Sequence, residues 1–372
     1  MHAFADLHLH SRFAIASSPS MLPGPLLAAC SRKGISVIGS GDALHEGWRR
    51  LWEPHLENPG GIVVVPSGEL EDRDRVHHLV LMEDFAGFED LGDRLGVKNA
   101  KSSWSGRPHF PAGGEEIASA VHRCGGLIGP AHAFTPWTAM YASFDRVSEC
   151  YGTERIDYLE LGLSADSSYA AGIPDLYDVP FLTNSDAHSP DVNRFGREFT
   201  ELVIAHRNAR SVLSAVRTGK IAMNVGFFPE EGKYNRTACT RCYRQYSPEE
   251  AAQLSWRCPA DGGLIKKGVY DRARELSTGP ARERPAYLPM IPLGELIAKT
   301  LGVSSPRTKK AGALYDRLVG AFGTEIEVLL RVPAGEISVV DPLVGRAVDS
   351  LRNRRVRLFP GGGGKYGSFE FA

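Results

Sequence analysis

Eight short apolar, β-branched runs punctuate the chain up to Ala205, and most of them end in a histidine or a carboxylate. They are Ala3–Leu7, Ser36–Ser40, Gly61–Pro66, Val76–Met82, Gly126–Ala131, Ile156–Leu161, Val179–Thr183 and Thr200–Ala205. Helix-like segments lie between several of them, Gly24–Lys33 and Gly114–Cys124 being the clearest. Strands that alternate with helices predict parallel βα units, and this many predict an α/β barrel. A barrel gathers its chemistry at the carboxyl ends of its strands, where loops from distant parts of the chain meet.

The strand ends carry a matching set of side chains. In extended backbone, residues i and i+2 point the same way, so His8 and His10 aim their imidazoles at one point, with Asp6 close enough to orient or bridge. Asp42 and His45 follow the second run, although Gly41-Asp42 is also good turn chemistry. Glu69 follows the third run. His77 and His78 sit side by side in the fourth and must face opposite ways, and His78 is expected to enter the site. His132 follows Gly129-Pro130-Ala131, and Asp186 with His188 follows Leu182-Thr183-Asn184-Ser185. Imidazoles and carboxylates converging from six strands predict a multinuclear metal site. The expected ligands are His8, His10, Asp42, His45, Glu69, His78, His132, Asp186 and His188.

Charge divides the chain. Residues 226–372 carry 23 Lys+Arg against 16 Asp+Glu, whereas residues 1–225 carry 20 against 28. An acidic half suits bound cations and a basic half suits a polyanion. All 12 histidines lie at or before His206, so a metal site in the second half must use Cys, Asp or Glu. No run of about 18 apolar residues predicts a membrane span. The N-terminus enters a strand without a signal peptide's basic-then-apolar pattern, so a cytoplasmic location and no membrane partner are expected. The segment Asp84–Gly113, with Lys101, Trp104 and Arg107, reads as a long binding loop or lid.

Beyond Gly226 the character changes. Cys239-Thr240-Arg241-Cys242 and Cys258-Pro259-Ala260-Asp261 have the spacing of a zinc ribbon, whose thiolates close a tetrahedron. Asp261 stands where a fourth cysteine would complete it. The expected structural zinc ligands are therefore Cys239, Cys242, Cys258 and Asp261, the alternative being a ribbon kept by packing alone. Lys233, Arg236, Arg241 and Arg244 are interleaved with Tyr234, Tyr243 and Tyr246. Cations beside aromatic rings suit phosphate contact and base stacking, so these four are the expected DNA-binding residues. Gly361-Gly362-Gly363-Gly364 reads as a loop that lets backbone approach a nucleotide.

Several motifs resemble the polymerase-and-histidinol-phosphatase (PHP) family of metal-dependent phosphoesterases. They are Asp6-Leu7-His8-Leu9-His10, Gly41-Asp42 with His45, Gly68-Glu69, His78, His132 and Asp186-Ala187-His188. The resemblance implies a distorted (β/α)7 barrel holding two or three divalent metal ions, zinc, manganese or magnesium. Many members carry a further histidine after the HxH pair, and Ser11–Ser17 has none, which implies a modified site. The order of barrel, Phe227-Phe228-Pro229-Glu230-Glu231-Gly232-Lys233-Tyr234, CxxC ribbon and Arg284-Pro285-Ala286-Tyr287-Leu288-Pro289 resembles the endonuclease Q-like branch. Asn235 and Asp261 depart from its pattern, both in the ribbon.

That resemblance implies a barrel over residues 1–225, a zinc-ribbon-like module over 226–280 and a small basic α+β region over 281–372. It implies a DNA repair endonuclease, acting on damaged duplex or single strand. Such an enzyme cuts 5′ of deaminated bases (uracil, hypoxanthine, xanthine) or abasic sites with metal-activated water. Asp186, Glu69 and His132 are the expected catalytic residues, and a replication clamp is a further expected partner. Competing readings are a small-molecule phosphatase of the histidinol-phosphate type and a non-catalytic DNA-binding scaffold.

Overall fold

Eight strands of the first part fall on or beside the apolar runs: β1 (His2–Asp6), β2 (Val37–Gly39), β3 (Val63–Val65), β5 (His77–Leu81), β6 (Leu127–Pro130), β7 (Leu159–Glu160), β8 (Phe181–Leu182) and β9 (Phe199–Val203); β4 (Ser67–Glu71) follows the third run, and β10 (Ile221–Gly226) lies outside them all. Further on come β11 (Ala238–Cys239), β12 (Ile265–Lys266), β13 (Ala286–Pro289), β14 (Val356–Phe359) and β15 (Ser368–Phe371). The computed structural model describes residues 1–96 and 105–371.

The fold is mixed α/β. Its main sheet has the order β13-β10-β9-β1-β2-β3, with β1, β2 and β3 parallel and β9 antiparallel to both β1 and β10. β3 ends at Pro66, which has no N–H to continue a ladder. The chain resumes as β4, which forms a separate antiparallel sheet with β5 and β6. The expectation of uniformly parallel βα units is corrected here. Residues 72–76 between β4 and β5 are too short for the crossover a parallel pair requires.

The helix Pro23–Lys33, with proline in its first turn, is closed by Gly34 at φ 97°, a left-handed backbone that favours glycine. The Asp84–Gly113 segment is less open than its composition implies, because Phe85–Arg94 is a helix capped by the Asp84 carboxylate, which accepts from Gly87 N–H at 2.9 Å. Lys101 and Trp104, expected in a binding loop, lie outside the described residues.

Four helices near the C-terminus, Leu293–Thr300, Lys309–Phe322, Ala334–Val340 and Pro342–Arg352, do not enclose a core of their own. Leu296, Ile297, Leu318 and Val348 share one buried cluster with Trp48, Trp52, Phe195 and Phe199 of the first part. Inside that seam the fully buried Lys33 and Glu325 pair at 2.8 Å. Lys33 Nζ also donates to Val192 O at 2.7 Å, and Tyr315 donates to the other Glu325 oxygen at 2.8 Å. Among the described residues, no helix is long and apolar enough to cross a membrane.

The glycine run packs on protein. Arg236 N–H donates to Gly361 O, and Gly363, at φ 66°, lies so close to Cys239 O that a Cβ there would sit 2.2 Å from it. Gly361, Gly362 and Gly363 pack against the strand that enters the cysteine module, while Tyr366 just beyond the run lines a cavity with Lys233 and Tyr234.

Candidate active site

β1 delivers His8 and His10, which are 1% exposed, and a bridge between Leu9 and Ala187 brings the loop bearing Asp186 and His188 alongside. Glu69 enters from β4. Its Oε1 lies 2.8 Å from His77 Nδ1 and 3.1 Å from His132 Nε2, and its Oε2 lies 3.4 Å from His10 Nε2. Asp186 Oδ1 is 3.1 Å from His10 Nε2 and 3.8 Å from His8 Nε2. Three ligand groups overlap: His8-His10-Glu69, His10-Asp186-His188 and Glu69-His77-His132.

Each of three histidines is held from behind by a carboxylate. Glu160 meets His8 Nδ1 with both oxygens, at 3.0 and 2.9 Å, and its Oε2 also accepts His132 backbone N–H at 2.8 Å. Asp42 holds His10 Nδ1 at 3.1 Å, and Glu71 holds His77 Nε2 at 3.1 Å. Such partners fix the ring's orientation and tautomer and leave the other nitrogen free to bind. Asp42, His132 and Asp186 have φ of 42°, 33° and 48°. Left-handed backbone at a non-glycine residue costs about 1–3 kcal/mol and gathers where function requires it.

The residues fit divalent cations. His8 Nε2, His10 Nε2, His132 Nδ1 and Asp186 Oδ1 are buried without a hydrogen-bond partner, a costly state unless something else binds them. Burial alone would lower the His8 pKa, but the adjoining Glu160, Asp186 and Glu69 carboxylates outweigh it and raise it to about 9. His10 and His132 rise against the same burial for the same reason, with Asp42 foremost at His10 and Glu69 at His132. Burial pushes Glu69 and Asp186 up, yet the surrounding imidazoles hold both below the ordinary carboxylate range. The carboxylates thus set up a strongly negative field at the imidazoles, which a divalent cation would balance.

Three expected ligands stand elsewhere. His78 bonds Tyr151 O–H at 2.7 Å and Asp72 at 3.1 Å on the far face of β5, and His77 takes the place expected for it. The pairing register decides this: Glu69 opposes Leu79 and Glu71 opposes His77, so these four share one face. His45 caps the helix Glu46–Trp52 through Nδ1 and stacks on Phe13 with ring centroids 4.0 Å apart. Asp42 acts on His10 and on Ser11 N–H, at 2.6 Å, rather than joining the three groups. Glu160 is absent from the expected set, and its signal is a carboxylate near the end of the apolar run Ile156–Leu161, which Asp157 also interrupts.

Cys239, Cys242, Cys258 and Asp261 do come together. Cys242 and Cys258 sulfurs are 3.6 Å apart, and Cys239 Sγ is 3.4 Å from Asp261 Oδ1. Bonds of roughly 2.3 Å to sulfur and 2.0 Å to oxygen in a tetrahedron give edges of about 3.8 and 3.5 Å. Of the four basic residues, Lys233 lines the catalytic cleft, a cavity of about 390 Å³ that also borders His132, Asp186, His188, Tyr234 and Tyr366. Arg236 lies over Tyr270 at 4.1 Å, Arg244 over Tyr246 at 5.5 Å, and Arg241 donates to Asp261 O at 3.2 Å.

A mixed α/β scaffold that brings buried histidines and carboxylates to one cleft, with their ligand atoms free, defines a metal-dependent enzyme. Over its full length the chain superposes on the lesion-specific endonuclease PfuEndoQ of Pyrococcus furiosus, with TM-score 0.94, 37% identity and 96% of that chain covered. It matches equally well, at TM-score 0.94 and 37% identity, an endonuclease Q bound to a 27-mer duplex with an abasic lesion at its active site, covering 97% of that chain. The chain belongs to the endonuclease Q family. It is also 31% identical to the uncharacterized protein YqxK of Bacillus subtilis, with 99% of each chain covered. A match of 39% identity to the uncharacterized protein MJ0043 of Methanocaldococcus jannaschii covers 68% of this chain and 32% of that longer one. Residues 292–355 match the MJ0043 C-terminal domain family.

Proposed function

We infer that the protein is a lesion-specific DNA repair endonuclease that hydrolyses the phosphodiester 5′ of a deaminated base or an abasic site. The observation that carries this reading is the cleft itself. His132, Asp186 and His188 line it, with the free ligand atoms of His8 and His10 in the same overlapping groups, and Lys233, Tyr234 and Tyr366 line it as a second set. A cation and aromatic rings beside a metal centre suit a strand whose phosphate reacts and whose base must be received. A phosphomonoesterase has no use for that second set, and a non-catalytic scaffold has no use for the free ligand atoms.

His8, His10, Glu69, His77, His132, Asp186 and His188 would hold two or three ions of zinc, manganese or magnesium. Divalent ions supply Lewis acidity there, acidifying water toward neutrality and neutralising charge on a phosphate. Glu160, Asp42 and Glu71 keep three imidazoles turned inward. Arg107 Nη1, 3.2 Å from Glu69 Oε2, keeps that shared carboxylate in place. Asp186, at 34% side-chain exposure, opens to the cleft and is the carboxylate placed to accept the proton of attacking water. Attack at phosphorus breaks the bond to the 3′-oxygen and leaves a 3′-hydroxyl and a 5′-phosphate. Extruding the nucleotide costs a few kcal/mol, least where the base is mispaired or missing.

Cys239, Cys242, Cys258 and Asp261 hold a structural zinc in this reading. The apolar cluster around them is small, Ala251 and Ile265 with the buried cysteines, and a metal ion makes up the difference. No described residue points to the replication clamp.

The test is a nicking assay with Mn²⁺, Mg²⁺ or Zn²⁺ on duplexes bearing one uracil, hypoxanthine, xanthine or abasic site. A nick just 5′ of the lesion, lost on chelation and in Asp186→Asn, supports the reading. Phosphate release from monoesters without nicking overturns it.

A further inference from the structure

Arg49 and Arg197 are the buried arginines among the described residues, at 8% and 9% exposure. Arg49 is fully used: Nη1 donates to Ala43 O and Leu44 O at 2.9 and 3.1 Å, and Nη2 to Glu89 at 3.2 Å. Arg197 is not. Its Nε donates to Ser185 O at 3.1 Å, one residue before Asp186, and neither terminal nitrogen has a hydrogen bond or an ion pair among the described residues. The carboxylates that feel its charge do not neutralise it. Burial raises Glu198 to about 8 and raises Glu295 also, so both are drawn toward their neutral forms.

A guanidinium fork that faces a cavity with no hydrogen bond and no counter-charge on its terminal nitrogens is ready to take an anion. The position of Arg197 says which anion. It lines the catalytic cleft, and it lines a second, polar groove of about 440 Å³ on the other side of Asp186 and His188. That groove continues over Ser17, Arg194 and Arg307, and the Ser17 hydroxyl is buried with no partner. The Arg307 Nε is already bound to Asp191 at 2.8 Å, which leaves the free fork of Arg197 as the groove's buried cation.

We propose that Arg197 is a phosphate anchor: its two terminal nitrogens grip one backbone phosphodiester of the lesion strand where that strand leaves the metal centre for the groove. Ser17 and Arg194 receive the phosphate beyond. A planar fork matches two phosphate oxygens, which a lysine does not. This inference rests on the endonuclease reading and deepens it by naming how the strand is held in register.

The experiment pairs protein variants with DNA in which single phosphates of the lesion strand are replaced, one at a time, by uncharged methylphosphonates. Arg197→Gln should lower kcat/KM by roughly 10- to 100-fold, with Arg197→Lys intermediate. The wild type should be sensitive at one methylphosphonate position to which Arg197→Gln is indifferent, the non-additivity that direct contact produces. DNA binding by anisotropy should show a salt slope shallower by about 1 in Arg197→Gln. Losses that simply add at every phosphate, or an unchanged kcat/KM and salt slope, overturn the inference alone. Should Arg197→Gln fail to fold, Arg197→Lys with the same DNA series decides it. A wild type that nicks no lesion duplex overturns the parent reading and this one together.

Discussion

Glu160 grips His8 Nδ1 with both carboxylate oxygens while one of them also accepts the backbone N–H of His132. One side chain on β7 therefore orients the first histidine of the site and seats the left-handed residue that supplies another. Asn184 Nδ2 donates to the same carboxylate at 2.8 Å, so its position is fixed as well. Glu160→Gln should weaken metal binding and nicking together, by about 10–100-fold, while the fold persists. Metal titration followed by nicking at saturating metal separates lost affinity from lost chemistry.

His77 and His78 are neighbours with opposite expected phenotypes. His77→Ala should reduce metal content and nicking with little change in melting temperature. His78→Ala leaves the Tyr151 hydroxyl and Asp72 Oδ2 without their imidazole partner in the interior and should cost about 1–3 kcal/mol per stranded group while metal content holds. Denaturant melts beside elemental analysis give the answer, and equal behaviour of the two variants would reject the assignment.

The cysteine module predicts a separate metal. Cys239→Ser should remove about one zinc per chain and leave the ions of the catalytic cleft in place. Asp261→Cys should retain zinc at lower free metal, since thiolate is the softer partner. Unchanged zinc content in Cys239→Ser would mean that packing alone keeps the ribbon folded.

Glu198 makes stability depend on pH. Burial raises its pKa to about 8 from an ordinary 4.5, Oε1 accepting from Phe227 N–H at 2.9 Å while Oε2 has no partner. A proton bound more tightly in the folded state contributes stability in full below pH 4.5, and that contribution is lost as the pH rises through about 8. Glu198→Gln keeps an acceptor for Phe227 and removes the titration. Its melting advantage over the wild type should grow from pH 5 to pH 8, reaching on the order of a few kcal/mol. A constant difference across that range would contradict the assignment.

Much of this was legible in the chain. The eight apolar runs each mark a strand to within a few residues while missing β10 and those after it, and six of the nine residues expected to bind metal converge. The others failed for local reasons. His78 lost to His77 because register against β4, not adjacency, decides which face of β5 looks inward. His45 follows the right strand but is claimed by a helix start. Asp42 reaches a histidine instead of the cavity. Glu160 is hidden because it shares its run with Asp157, and nothing in the pattern tells the two carboxylates apart until His8 is seen beside Glu160. The antiparallel pairing of β4, β5 and β6 was beyond reach of periodicity, which reads burial and not strand direction.

The dry contact of Lys33 with Glu325 has a consequence for how DNA is searched. Parting that pair would strand a buried charge at a cost of about 3–5 kcal/mol, so the seam between the first part and the C-terminal helices resists opening. On the proposed endonuclease reading, a seam that does not open leaves deformation to the duplex, and steps that deform cheaply, at a mismatch or a missing base, would be favoured before any base edge is read.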